Sequence, residues 1–138
     1  MITRDYLMRL MSQLAAVMAK ILGAKNAENY AEARLLAQNA CEQLFGLNGE
    51  LVKTMDAGTL ALLLGEKEKI KALAALLREE GDILLLQGSP VEGIAQYEKA
   101  LALYQEARRA SPEGDADCEA AVTALQAKLA EMVGEQMP

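Results

Sequence analysis

The chain has 138 residues, 52% of them hydrophobic but only 4% aromatic, and a formal net charge of −6. One domain of this length buries about two-thirds of its unfolded surface, and a leucine- and alanine-led composition suits helices rather than sheets. The acidic balance speaks against a nucleic-acid partner, which needs a dense basic face, and the absence of histidine removes His-based triads and His metal sites.

In chain order, Thr3 is the expected N-cap of a first helix running to about Ala24. Ile2, Tyr6, Leu10, Leu14, Val17 and Ile21 recur at helical spacing, which marks an amphipathic helix. Asp5, Ser12 and Gln13 interrupt what would otherwise resemble a signal peptide. No run of 18 apolar residues occurs, so no membrane span is expected. Residues 1–25 sum to +3, from Arg4, Arg9, Lys20 and Lys25 against Asp5. A peripheral membrane anchor is nevertheless the weakest reading, because the same apolar face is needed for packing. Met8, Met11 and Met18 lie along one side and read as core filler before they read as an adaptable partner surface.

After a loop at 25–29, a second helix is expected over 30–45, completing a hairpin at 3–45. An irregular insertion follows at 46–65, read as one or two short helices, the second capped by Asp56 and ended by Gly65. A second hairpin spans 66–110: a long helix carrying Ile70, Leu73, Leu77, Gly81 and Leu84 on its apolar face, a turn at Gly88-Ser89, and a helix opening with Ser89 as N-cap and Pro90 at its first position. "SPEGDAD" reads as linker and cap, and a capping helix at 115–134 turns Val122, Leu125, Leu129 and Met132 inward. Cys41 and Cys118 lie far apart without a CxxC pair, which fits a reducing cytoplasm.

Two interior glycines stand out in the second hairpin, since each costs about 1 kcal/mol relative to alanine. Gly93, Tyr97 and Ala100 share one helix face, where small residues admit a neighbouring helix and the ring fills the gap. Gly81 does the same from the partner helix, and Gly93→Ala is expected to be neutral or slightly stabilising. A second regularity is an offset of 60: Tyr30, Ala33 and Ala40 correspond to Pro90, Gly93 and Ala100.

The set Gly81, Gly88, Gly93, Tyr97 and Ala100, with Lys99-Ala100-Leu101, resembles the tetratricopeptide repeat over 74–107. Over 14–47 the match is weaker: Tyr30, Ala33 and Ala40 fit, but Ile21 stands where a small residue belongs and Ala37 where an aromatic does. The opening "MITRDYLMRLM" also resembles a group of short, uncharacterised helical-repeat proteins of anaerobic Gram-positive bacteria, which brings no activity with it. The expected fold is therefore all-α, antiparallel helical hairpins of tetratricopeptide-like type with a C-terminal capping helix.

That resemblance implies a partner groove along the first helix of each hairpin, here at Ala75, Arg78, Asp82 and Leu85, holding a peptide or partner helix. Arg78 would be its anchor. Asp82 stands where a carboxylate clamp would need asparagine. The alternative is a self-associating structural protein, a homodimer formed through the flank that two incomplete repeats leave open.

No catalytic residue, cofactor or metal site is expected. Glu79, Glu80 and Asp82 read as a solvated face. Gly65-Glu66-Lys67 lacks the spacing of a phosphate-binding loop, and "DADCE" at 115–119 meets Ala120 where a calcium loop needs glycine. Its acidic residues suit a helix start. The composite expectation is a cytoplasmic, non-catalytic protein-interaction module, capable of homo-oligomerising, that takes no nucleic acid and does not enter a membrane.

Overall fold

The protein is described by a computed structural model covering residues 2–136, with side chains over 4–134. Among the described residues there are seven helices and no strand: α1 (Ile2–Asn26), α2 (Tyr30–Phe45), α3 (Gly49–Thr54), α4 (Ala57–Leu64), α5 (Lys67–Leu86), α6 (Pro90–Arg109) and α7 (Ala116–Gln136). α1 already begins at Ile2, so Thr3 sits inside the helix rather than at its cap. The side chain of Ile2, assigned to the apolar stripe, lies outside the described ones.

Local chemistry sets most boundaries. The Asn48 carboxamide accepts from Leu51 N at 2.8 Å and the Asp56 carboxylate from Thr59 N at 2.7 Å, each satisfying an amide that the first helical turn leaves unpaired. α2 ends where Gly46 turns left-handed at φ 68°, its N–H donating to Glu42 O and the next amide to Cys41 O. That is a glycine-terminated reversal, with Leu47 buried just beyond it. Ser89 is the N-cap of α6 by position only. Its hydroxyl makes no capping bond, and Pro90, which has no N–H to satisfy, leaves less for it to do. Asp115 is the working cap of α7, accepting from Cys118 N at 3.2 Å.

Pairwise contacts define the stacking. α5 and α6 form the most extensive contact, running antiparallel: Glu80 meets Gln96, and Leu85 lies beside Gly93. α1 and α2 form the second hairpin-like pair. α1 runs parallel to α5, since the Tyr6 ring sits under Lys69 Nζ at 5.2 Å while Lys25 reaches Glu79 at 3.1 Å and Asp82 at 3.8 Å. α7 also runs parallel to α5, tied by Lys71 to Asp115 at 2.9 Å and by Lys128 to Asp82 at 3.7 Å. Hence α1 and α7 lie parallel to α5 on one side, each tied to it, and α2 and α6 back them.

The short helices do not interrupt this stack. α4 lies against α6, held in part by Lys99 Nζ donating to Met55 O and by Leu60 and Leu64, which point into the core. The core itself runs from Ile21 through Leu73, Leu76, Leu77, Ile83, Tyr97 and Leu103 to Leu125. α7 buries Val122, Leu125 and Met132 and half-buries Leu129, as its spacing predicts. α1 is different: Leu10 and Ile21 are buried, but Tyr6 and Met8 are exposed and Leu14, Val17, Met11 and Met18 only half-buried. Met8 is therefore not core filler.

Candidate functional site

The four residues assigned to a groove sit on one stripe of α5, but they are not equivalent. Arg78 is exposed and makes no ion pair among the described residues. Ala75 is half-buried one turn earlier. Leu85 is half-buried because its side chain leans on Gly93 across the α5–α6 contact. Asp82 is the best organised of the set: the Tyr97 hydroxyl donates to its Oδ1, Lys25 approaches from α1 and Lys128 from α7.

Around Asp82 and Leu85 opens a cleft of about 270 Å³, lined also by Lys25, Leu86, Tyr97 and Lys128. Two of the four assigned residues thus share a concavity, while Ala75 and Arg78 lie nearer the start of α5 and do not line it. Lys25, Lys128 and Leu86 were missed. They come from helices distant in sequence or from the residue after the stripe, and helical periodicity within α5 carries no signal for them.

The electrostatics follow from that crowding. Tyr97 is fully buried, and burial followed by its bond to Asp82 pushes its hydroxyl pKa well above the usual tyrosine value. It titrates at no physiological pH and serves as a fixed donor. Lys128 Nζ also stands 5.5 Å from the Tyr97 ring centre, so one ammonium faces both the ring and the carboxylate.

The reading of Glu79, Glu80 and Asp82 as a solvated face fails. Glu79 and Asp82 pair with cations from neighbouring helices, and Glu80 is only 6% exposed, turned to the opposite side of α5. There Gln96 Nε2 donates to its Oε2 at 3.3 Å. Burial raises the Glu80 carboxyl above its ordinary value, against the opposing pull of Gln96, Arg34 and Lys53.

Cys41 lies beside Glu80. Burial, then the charges of Glu80 and Glu42, push its thiol up to about 12, which removes it as a nucleophile. Cys118 is buried too and not bonded to Cys41. Among the described residues no group of three or more His, Cys, Asp or Glu side chains could hold a metal ion. The acidic start of α7 works as a cap and an ion-pair partner: its Asp115 carboxyl is held below the usual range by its bond with Lys71.

By length and composition alone, the stretch Arg4–Asn26 is long and apolar enough to cross a membrane, with mean hydropathy 1.3 over 18 residues and 11% of that window buried. The sequence expectation rested on uninterrupted apolar runs, which the scattered polar and charged residues of α1 break without lowering the average enough. Lys25, at the end of this stretch, is engaged with α5.

Searches against protein-family models, curated proteins and solved structures found no match to this chain.

Proposed function

We propose that the protein is a non-catalytic interaction module of tetratricopeptide-like build, taking a peptide or partner helix along the face formed by α1, α5 and α7. The observation that carries this reading is Asp82: one carboxylate bonded by Tyr97 and bracketed by lysines from α1 and α7, at the centre of three parallel helices. Such bracketing holds the three helices in register and leaves Arg78, one turn earlier on the same stripe, as an exposed cation with no ion-pair partner among the described residues. A carboxylate-bearing ligand segment suits Arg78, and Leu86, half-exposed in the adjoining cleft, offers an apolar contact. The buried free thiols fit a reducing, cytoplasmic setting.

The test is capture from cell extract by immobilised wild type, Arg78→Glu and Arg109→Glu, the last an exposed arginine at the far end of α6. A stoichiometric partner held by wild type and Arg109→Glu but lost by Arg78→Glu supports the groove. Arg78→Glu itself is expected to change stability by no more than about 0.5 kcal/mol, as for other surface substitutions. Equal capture by the Arg78→Glu protein removes this face from consideration.

A second reading, self-association, is favoured by the outer flank of the first hairpin. Met8 and Leu22 fall on one side of α1 and are more than half exposed, as is Leu35 on α2. Light scattering on wild type and Leu35→Glu separates the readings: a dimer that Leu35→Glu dissociates favours self-association, and a monomer in both rejects it.

A further inference from the structure

The least expected feature of the molecule lies behind the α1–α5–α7 face. α2, α3, α5 and α6 enclose a cleft of about 360 Å³ on the opposite side of α5, and the Glu80 carboxylate lines it. The size falls within the range of small-molecule sites. A carboxylate accepts at about four lone-pair positions. Among the described residues Glu80 receives one donor, the Gln96 amide, at a long 3.3 Å.

No lysine or arginine nitrogen comes within ion-pair distance of Glu80 among the described residues. Arg34, the nearest cation on α2, is turned toward Glu92 at 3.7 Å, and Lys53 acts from the exposed rim of α3. A charge this buried is ordinarily paired. Neither Glu80 oxygen is both sealed from solvent and unbonded, so the unbonded one is reachable from the cleft.

The rest of the lining has matching chemistry. Glu42 and Glu50 add two carboxylates against the single ammonium of Lys53, so with Glu80 the formal sum is −3 + 1 = −2. Asn39 and Asn48 also line it, the Asn48 oxygen already accepting from Leu51 N, and Val52 with the neutral Cys41 supplies an apolar wall. A neighbouring cleft of about 300 Å³ shares Lys53 and Gln96 and is walled by Leu84 and Ala95.

We propose that this cleft binds an organic cation, a primary ammonium or guanidinium head on a short apolar stem, with the head bonded to Glu80 and the stem along Val52 toward Leu84. The site is independent of the Asp82 face and stands whether or not that face takes a partner. The same head group is carried by free amines and by lysine or arginine side chains, and the two sources are separable by experiment.

Amide chemical shifts are followed while butylammonium, butylguanidinium, butyrate and a blocked Ala-Lys-Ala peptide are titrated into the wild-type chain. The expected result is saturable millimolar binding of a cationic probe, with shifts centred on residues 38–53, 80 and 96, and none with butyrate. Tighter binding of the peptide assigns the source to a protein side chain, and tighter binding of the free amines to a small metabolite-like cation. Glu80→Gln, which keeps shape and removes charge, should weaken binding at least about tenfold, while Glu98→Gln on the exposed side of α6 should not. Gly49→Phe serves as a second variant: Gly49 lines the cleft, and a Cβ there meets no atom within 4 Å, so the added ring has room to obstruct the cavity without straining the helix. It should abolish the shifts with the helical spectrum intact. Absence of saturable binding by any cationic probe, or equal binding by wild type and Glu80→Gln, overturns the proposal.

Discussion

The two long hairpins share a turn and differ in how they fill the space beside it. At an offset of 60 the backbone bonds repeat one for one: Asn29 N to Ala24 O and Ser89 N to Leu84 O, both 2.8 Å; Glu28 N to Lys25 O and Gly88 N to Leu85 O, both 3.0 Å. Both turns place their second residue at positive φ, 59° for Glu28 and 79° for Gly88. Where the helices meet, the sizes are exchanged. The second hairpin has Gly81 against Tyr97, and the first has Ile21 and Ala37 at the equivalent positions, both fully buried. Backbone geometry is thus preserved while bulk moves from one helix to the other. What the packing requires is a total volume between the helices, and either partner can supply it.

The largest expected effect breaks that balance outright. Tyr97→Ala empties the centre of the α5–α6 contact and should cost about 3–5 kcal/mol in urea unfolding, as large-to-small core changes do. Combining it with Gly81→Ile rebuilds the first hairpin's arrangement in the second. The double variant should be more stable than the sum of the two single losses by at least about 1 kcal/mol. Additive losses would mean that the hairpins are alike in their turns only.

Gly81→Ala comes next. Its Cβ would lie 2.7 Å from the Tyr97 ring, and that ring is tethered through its hydroxyl to Asp82 and cannot swing away freely. Overpacking of about 1–3 kcal/mol should outweigh the gain in helix propensity. Gly93→Ala is milder. Its Cβ would meet Gly81 O and Leu85 Cδ2 at 3.2 Å, so one neighbour is backbone and cannot yield, and the other is a flexible side-chain end. A small loss, up to about 1 kcal/mol, replaces the neutral or stabilising outcome that helix propensity alone suggests.

The turns provide a finer comparison. Glu28 holds a left-handed conformation that costs an L-residue about 1–2 kcal/mol, so Glu28→Gly should stabilise by up to about 1 kcal/mol. Gly88→Ala should destabilise by a similar amount, since a Cβ there meets nothing and only the backbone strain counts. Thermal melts of both variants moving in the same direction would contradict the equivalence of the two turns.

The smallest effect at neutral pH concerns Glu80. Burial raises its folded-state carboxyl, so the proton is held more tightly in the folded chain than in the unfolded one. The stability this contributes is fully present below the usual carboxylate range and is lost as pH rises through the raised value. Arg34 and Cys41 on α2, Lys53 on α3 and Gln96 on α6 face it, and the pull of Gln96, Arg34 and Lys53 limits how far the value rises and so how much stability is lost. Glu80→Gln should therefore match wild type in acid and exceed it increasingly toward neutral pH, as denaturant curves at several pH values would reveal.

Much of this architecture was readable in advance because its signals are local. Pro90, Asp56, Gly46 and Gly65 act on backbone groups within four residues, so the end of α2, both ends of α4 and the start of α6 followed from them. The buried stripes of α5 and α7 follow from period alone. The groove stripe was legible in the same way, but its chemistry was not, because Lys25 and Lys128 reach Asp82 from helices 57 and 46 residues away in the chain.

By itself, then, the sequence determined that the chain is helical, where most of its helices break, and which sides of α5 and α7 are apolar; for α1 it misplaced the start and part of the buried stripe. Only the tertiary structure decided what became of the acidic run on α5. Glu80 and Asp82 are two residues apart and so point about 200° apart around the helix. Periodicity places them on opposite sides but does not say which side a neighbour will cover. α2 and α3 closed over one carboxylate and left it, among the described residues, with a single donor from Gln96, while α1 and α7 brought lysines to the other. Burial and pairing are properties of the neighbours, and the neighbours are set by how the helices stack.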